Sequence, residues 1–215
     1  MRSSNLVVLG TGGHGKVIAD AAIASGWQVL GFADDDGRKR DTRVLGLPVL
    51  AIGMDELSSV ARETESQVAI GIGSNTIRCG VQERLESANI RVASVIHPSA
   101  TIAPSASLGI GTVVFAQVAV NADARIGRGV ILNTAVSIDH DCTLGDFVHV
   151  SPGVHLGGTV RIGAGTHIGV GVSIRNNVSV GEWSIVGVGA AVVRDLPARV
   201  VSYGTPARVV RPVAD

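Results

Sequence analysis

From Ile96 onward an aliphatic residue returns at every sixth position, and no other feature of this chain constrains its fold as tightly. The series runs Ile96, Ile102, Leu108, Val114, Val120, Ile126 and on to Val192 without exception. The residue that follows is repeatedly glycine, as at Gly109, Gly127, Gly145, Gly157, Gly163, Gly169, Gly181 and Gly187. Four places after the aliphatic sits a small or β-branched residue, such as Ala106, Thr112, Val118 or Val130. A period of six fits neither a helix, at about 3.6, nor a long alternating strand, at about 2. It fits short strands joined by turns, each aiming one aliphatic inward, with glycine relieving strain at the corners. Stacked turns bury a continuous core that no single repeat can bury alone. With 46% hydrophobic residues, only 3% aromatic and 28 glycines, that core has to be built from Val, Ile, Leu and Ala.

Residues 5–95 follow another rule. Leu6-Val7-Val8-Leu9 is a buried-strand run, followed by Gly10-Thr11-Gly12-Gly13-His14-Gly15 and a helical stripe of Val17, Ile18, Ala21 and Ala22. A second strand, Val29–Ala33, ends at Asp34-Asp35-Asp36, and a third, Val68–Ile70, ends at Gly71-Ile72-Gly73-Ser74-Asn75. A helix carrying Ile77, Val81 and Leu85 is predicted to start at an Asn75 cap. This βαβ alternation predicts a Rossmann-like α/β domain over 1–95, with a β-helix domain and tail over 96–215. Gly10, Gly12 and Gly15 satisfy G-x-G-x-x-G between strand and helix, with Asp34 downstream. Such a loop brings main-chain N–H groups to a phosphate, while the acid reaches hydroxyls or a base edge. A nucleotide is the expected ligand. A dehydrogenase is not, because no dehydrogenase domain follows.

Eighteen basic residues balance 18 acidic ones, so the chain shows no electrostatic footprint for nucleic acid or an anionic membrane. Cys79 and Cys142 have no CxxC partner and read as buried thiols in a reducing compartment. The N-terminal apolar run is too short for a signal peptide, and no stretch suits a membrane span. A cytoplasmic protein without membrane insertion is expected.

The hexads resemble the hexapeptide-repeat family, whose units wind a left-handed parallel β-helix with three faces per coil. Residues eighteen apart should then stack. Within that family, four features together resemble the nucleotide-amino-sugar N-acetyltransferases and the related sialic acid O-acetyltransferases. They are the Gly10–Gly15 loop, Asp34-Asp35, the polar stretch from Asn133 through Asp139-His140-Asp141 to His149, and the closing Gly204-Thr205-Pro206-Ala207-Arg208. The resemblance implies transfer of acetyl from acetyl-CoA, without a metal, to the amine of a nucleotide-linked deoxyamino sugar for surface glycan synthesis. It implies a homotrimer with its active site between subunits. It makes His140 the catalytic base and Asp141 the acid that raises its basicity. Asn133, His149, Gly158, Val170 and Val188 match cofactor positions, while Gly12, Gly13, His14, Asp34, Asp35 and Gly73 match the nucleotide-sugar site.

The chemistry of the residues agrees. Attack on a thioester needs a base at the nucleophile, and imidazole, with a pKa of about 6.5, is suited to that task beside a carboxylate. Gly158, eighteen positions beyond His140, leaves room for pantetheine, and a main-chain N–H can serve the oxyanion. Three rivals stand beside this reading: O-acetylation of a sialic acid-like sugar, zinc-dependent carbon dioxide hydration through His149, His155 and His167, and a non-catalytic sugar-nucleotide module. A zinc enzyme would leave the first domain without a role. The polar set Asn133, His140, Asp141 and His149 argues against loss of catalysis.

Overall fold

The computed structural model describes residues 4–214, so residues 1–3 and 215 of the expected domains lie outside the description. The chain divides into two compact units, Met1–Pro98 and Ser99–Asp215.

The first unit runs β1 (Asn5–Leu9), α1 (Gly13–Ala24), β2 (Gln28–Asp34), β3 (Arg43–Val44), β4 (Leu47–Ile52), α2 (Gly53–Glu63), β5 (Gln67–Ile70) and α3 (Asn75–Ser87). Its sheet has the order β3-β4-β2-β1-β5. β1 lies parallel to both β2 and β5, so its unbroken apolar run is fully buried, with Leu6, Val7 and Val8 at 0% exposure. The chain leaves β1 toward β2 on one side and returns as β5 on the other. The crevice at the carboxyl ends of β1 and β5 is therefore the switch point where open α/β sheets take ligands.

Helix faces differ from the sequence expectation in two places. In α1 the buried set is Gly15, Ile18, Ala19, Ala21 and Ala22, and Val17 faces solvent. In α3 Ile77 is exposed, while Arg78, Val81, Gln82 and Leu85 turn inward. The cap of α3 is Ser74, one residue before the expected Asn75. Ser74 keeps an extended backbone and its hydroxyl accepts from the Ile77 N–H.

The second unit is a parallel β-helix of two-residue strands. Ala119 pairs with Ser137, Ile131 with His149, and Thr143 with Arg161, each pair one coil apart. One face stacks six strands from Thr101–Ile102 to Ala191–Val192, and a second stacks five from Ser107–Leu108 to Ser179–Val180. A third contains Ile131–Leu132, His149–Val150, His167–Ile168 and Ile185–Val186, and is closed by the hairpin Val200–Gly204 and Ala207–Pro212. Inside, the sixth-position aliphatics form one column of core, with Leu132, Ile138, Val150 and Ile168 at 0% exposure. Truncating one of them, as in Ile138→Ala, removes roughly 2–5 kcal/mol through lost transfer energy and the cavity left behind.

Glycine follows a different logic from the expected relief of corner strain. A Cβ at Gly163 would lie 2.4 Å from the Glu182 main-chain nitrogen, so glycine, where it follows an aliphatic, permits close approach between coils. Left-handed backbone falls two residues later, at Gly129 and Gly153 but equally at Asp123, Ala135 and Asp141.

Candidate active site

His140 follows the strand Ser137–Ile138 and occupies an exposed corner of the coil. Asp141 is the left-handed residue of that corner (φ 59°), a conformation aspartate tolerates better than most side chains. Its carboxylate lies 2.7 Å from His140 Nδ1. A carboxylate accepts, so Nδ1 carries the hydrogen and Nε2 is left with its lone pair. Asp139 Oδ1 accepts the His140 N–H at 2.8 Å and is held by Asn121 Nδ2 at 3.0 Å from the coil below. The Asp141 hydrogen bond, with the Asp139 charge, raises the His140 pKa above its ordinary value.

Gly158 lies directly beside the imidazole. A Cβ at Gly158 would stand 2.5 Å from His140 Cε1 and 2.6 Å from Nε2, so the ring takes the space a side chain would need. The Gly158 N–H makes no hydrogen bond among the described residues. The corner thus brings together an oriented imidazole, a carboxylate behind it and, beside the ring, a glycine whose N–H is unengaged among the described residues. Such a set can remove a proton and stabilise a developing oxyanion.

The other expected cofactor residues lie elsewhere on the coil. Asn133 is half-buried, and its Oδ1 accepts from the Thr134 N–H at 2.9 Å. His149 stacks on His167 with ring centroids 4.6 Å apart, and His167 Nε2 meets Ser151 Oγ at 3.0 Å. Val170 and Val188 are exposed at equivalent positions of successive coils, 47% and 74% open. His155 binds Ser137 Oγ through Nδ1 at 2.8 Å. Among the described residues, no group of three His, Cys, Asp or Glu side chains converges as a metal site, so His149, His155 and His167 form no such set.

In the first unit the glycine loop is locked from both sides. A Cβ at Gly15 would meet Gly10 O at 1.9 Å, whereas one at Gly12, Gly13 or Gly73 would meet nothing within 4 Å. Gly10 and Gly15 serve packing. Gly12, Gly13 and Gly73 leave open space at the heads of α1 and α3. Asp34 sits at the loop as expected, but its carboxylate is engaged within the protein. Oδ2 accepts from the Thr11 N–H (2.9 Å) and hydroxyl (2.5 Å), and Oδ1 from the Asp36 N–H (3.0 Å). Burial alone would raise the Asp34 pKa, but the bonds from Thr11 and Asp36 and the Lys39 charge hold it below the usual carboxylate value. Asp35, next to it, is exposed. His14 is lowered to about 4 by burial and the nearby Arg78 charge, and so is neutral at working pH. Thr11, Asn121 and Arg78 had no role legible in the sequence, and Asp139 stood in the polar stretch without a role of its own; its spacing of eighteen from Asn121 was the signal for that pair.

Residues 5–85 match the family model of the PglD N-terminal domain. Comparison with curated proteins gives no match. Among solved structures, a histidine variant of perosamine N-acetyltransferase from Caulobacter crescentus, in complex with CoA and GDP-perosamine, is 38% identical over 96% of this chain and 96% of that one, with a TM-score of 0.90. The chain belongs to the hexapeptide-repeat sugar acetyltransferases. The acetyltransferase domain of PglB from Neisseria gonorrhoeae, in complex with acetyl coenzyme A, is also 38% identical, covering 97% of this chain and 100% of that one at a TM-score of 0.89. WeeI from Acinetobacter baumannii is 26% identical over 95% and 99%, with a TM-score of 0.86. With this family comes its architecture, an α/β domain followed by a left-handed β-helix, and both units match it in one alignment.

Proposed function

We propose that this protein transfers the acetyl group of acetyl-CoA to the amine of a nucleotide-linked deoxyamino sugar, an acceptor of the kind GDP-perosamine represents. The observation that carries the reading is the His140–Asp141 pair lying over Gly158 in a chain that matches such an enzyme end to end. His140 Nε2 takes the proton as the sugar nitrogen adds to the thioester carbonyl. Asp141 holds the tautomer and stabilises the imidazolium that forms. The Gly158 N–H is the candidate donor to the tetrahedral oxyanion, and the absent side chain leaves the thioester room. Collapse of the intermediate breaks the carbon–sulfur bond, and the His140 imidazolium returns its proton to the leaving sulfur, giving the amide and free CoA thiol.

Asn133, His149, Val170 and Val188 are assigned to the acetyl-CoA surface. Gly12, Gly13, His14 and Gly73 line the nucleotide-sugar site, with Asp35 as its exposed acid. Asp34 acts there by fixing the loop. The assembly is a homotrimer with shared active sites, working in the cytoplasm on surface-glycan precursors. No helix among the described residues is long and apolar enough to cross a membrane. Thiol release followed over a panel of nucleotide sugars, with amine-bearing and hydroxyl-only analogues side by side, tests the reading. Turnover confined to amines supports it, and turnover of hydroxyl acceptors alone would replace it with O-acetylation.

A further inference from the structure

Arg78, in the second turn of α3, is only 2% exposed. Burying a guanidinium is costly unless its donors are matched, so what it binds is informative. Nη1 donates to the carbonyl oxygens of Ile72 at 3.3 Å and Gly73 at 3.2 Å, and Nη2 to Asn75 Oδ1 at 2.9 Å. Burial lowers its pKa only to about 10, so the side chain stays cationic.

Two consecutive carbonyls drawn to one cation have a geometric consequence. The peptides of this loop are trans. In a trans peptide C=O and N–H point in opposite directions. Turning the Ile72 and Gly73 carbonyls onto Arg78 therefore turns the N–H groups of Gly73 and Ser74 away from it. Neither N–H makes a hydrogen bond among the described residues. The segment that carries them borders open space, since a Cβ at Gly73 meets nothing within 4 Å and Ser74 is exposed. They stand at the end of β5, beside the end of β1, where the open glycines Gly12 and Gly13 head α1.

We infer that Arg78 is a positioning residue that holds the Ile72–Ser74 main chain with two N–H groups presented to the phosphates of the nucleotide sugar. This rests on the sugar-nucleotide reading of the first unit given above. Arg78 itself touches no substrate. It sets the direction of donors that do, and its buried charge adds to the positive end of α3.

The full-length protein is titrated with UDP, GDP and dTDP, with the matching nucleosides and with acetyl-CoA. Arg78→Met is expected to weaken the tightest diphosphate about tenfold or more, the scale of one or two lost hydrogen bonds. Arg78→Lys should recover part of this, since an ammonium can still hold a carbonyl. Nucleoside and acetyl-CoA affinities should not move, and acceptor KM should rise by a larger factor than kcat falls. Ser74→Pro supplies a test that leaves Arg78 intact. Ser74 already has φ −66°, which proline accepts, and the substitution deletes the proposed donor. A similar loss of diphosphate affinity is expected, and this variant decides the matter if Arg78→Met fails to fold by circular dichroism. Wild-type diphosphate affinity in Ser74→Pro, or in a folded Arg78→Met, would remove Arg78 from the site while leaving the site standing. A wild-type protein that bound none of the three diphosphates would overturn the site reading as well.

Discussion

The two units hold chemistry in opposite ways. In the α/β unit the open space at the heads of α1 and α3 is bordered by glycine main chain with Asp35 exposed nearby, and side chains such as Asp34, Thr11 and Arg78 are engaged in shaping the loops. In the β-helix most of the backbone is committed coil to coil, as with His149 N–H to Thr166 O at 3.0 Å, and the proposed chemistry rests on corner side chains, with the Gly158 N–H beside them. The first unit should therefore be sensitive to added bulk and altered backbone. The second should be sensitive to the loss or displacement of particular side chains.

Several substitutions can break that comparison. The largest effect belongs to His140→Ala, which should lower kcat by roughly 10² or more while acetyl-CoA affinity, read by calorimetry, survives. Wild-type turnover at saturating substrates would remove His140 from the mechanism. Gly158→Ala comes next, because its Cβ requires the imidazole to swing aside. A kcat loss of about 10- to 100-fold with unchanged thermal unfolding is expected, since the displaced ring can move into solvent. In the first unit, Asp35→Ala or Gly13→Leu should weaken nucleotide-sugar binding about tenfold and spare acetyl-CoA. A Gly13→Leu protein that lost acetyl-CoA instead would reverse the assignment of the units. Gly15→Ala makes the contrast sharper, for its clash with Gly10 O should appear as a lower Tm rather than as a selective loss of ligand.

Asp141→Asn should have the smallest effect on rate, and is best read from pH dependence. The base must be neutral, so activity rises as pH passes upward through the His140 pKa. Asp141 raises that pKa, hence its removal should shift the rising limb to lower pH, with a kcat loss of several-fold. A rising limb that stayed in place would mean that the pair does not tune the base.

The β-helix was legible because each hexad repeats the same physical demand, an aliphatic inward, and many add a glycine where coils touch. His140 and Asp141 stood out as polar residues interrupting that rhythm. The first unit offered less, because its signals are local and occur once. Apolar periodicity in α3 pointed to Ile77, yet the buried position belongs to Arg78, whose burial is balanced by carbonyls that no sequence pattern displays. The acid after β2 was visible, but not that Asp34 would turn inward to Thr11 and leave Asp35 outside. The strand β4 and helix α2 were missed because Leu47–Ile52 contains a proline and has no clean alternation.

Coil-to-coil pairing, Ser137 with His155 and His155 with Ser173, gives the β-helix a fixed unit of growth. Six residues lost below His140 would keep every aliphatic inside, yet carry the histidine to a neighbouring edge of the prism. Eighteen residues lost would return it to the same edge, one strand spacing of about 4.8 Å lower. Lineages of this scaffold can thus change length only in whole coils without moving their chemistry, whereas insertions at the exposed corners, which leave the strands in phase, are open to any size.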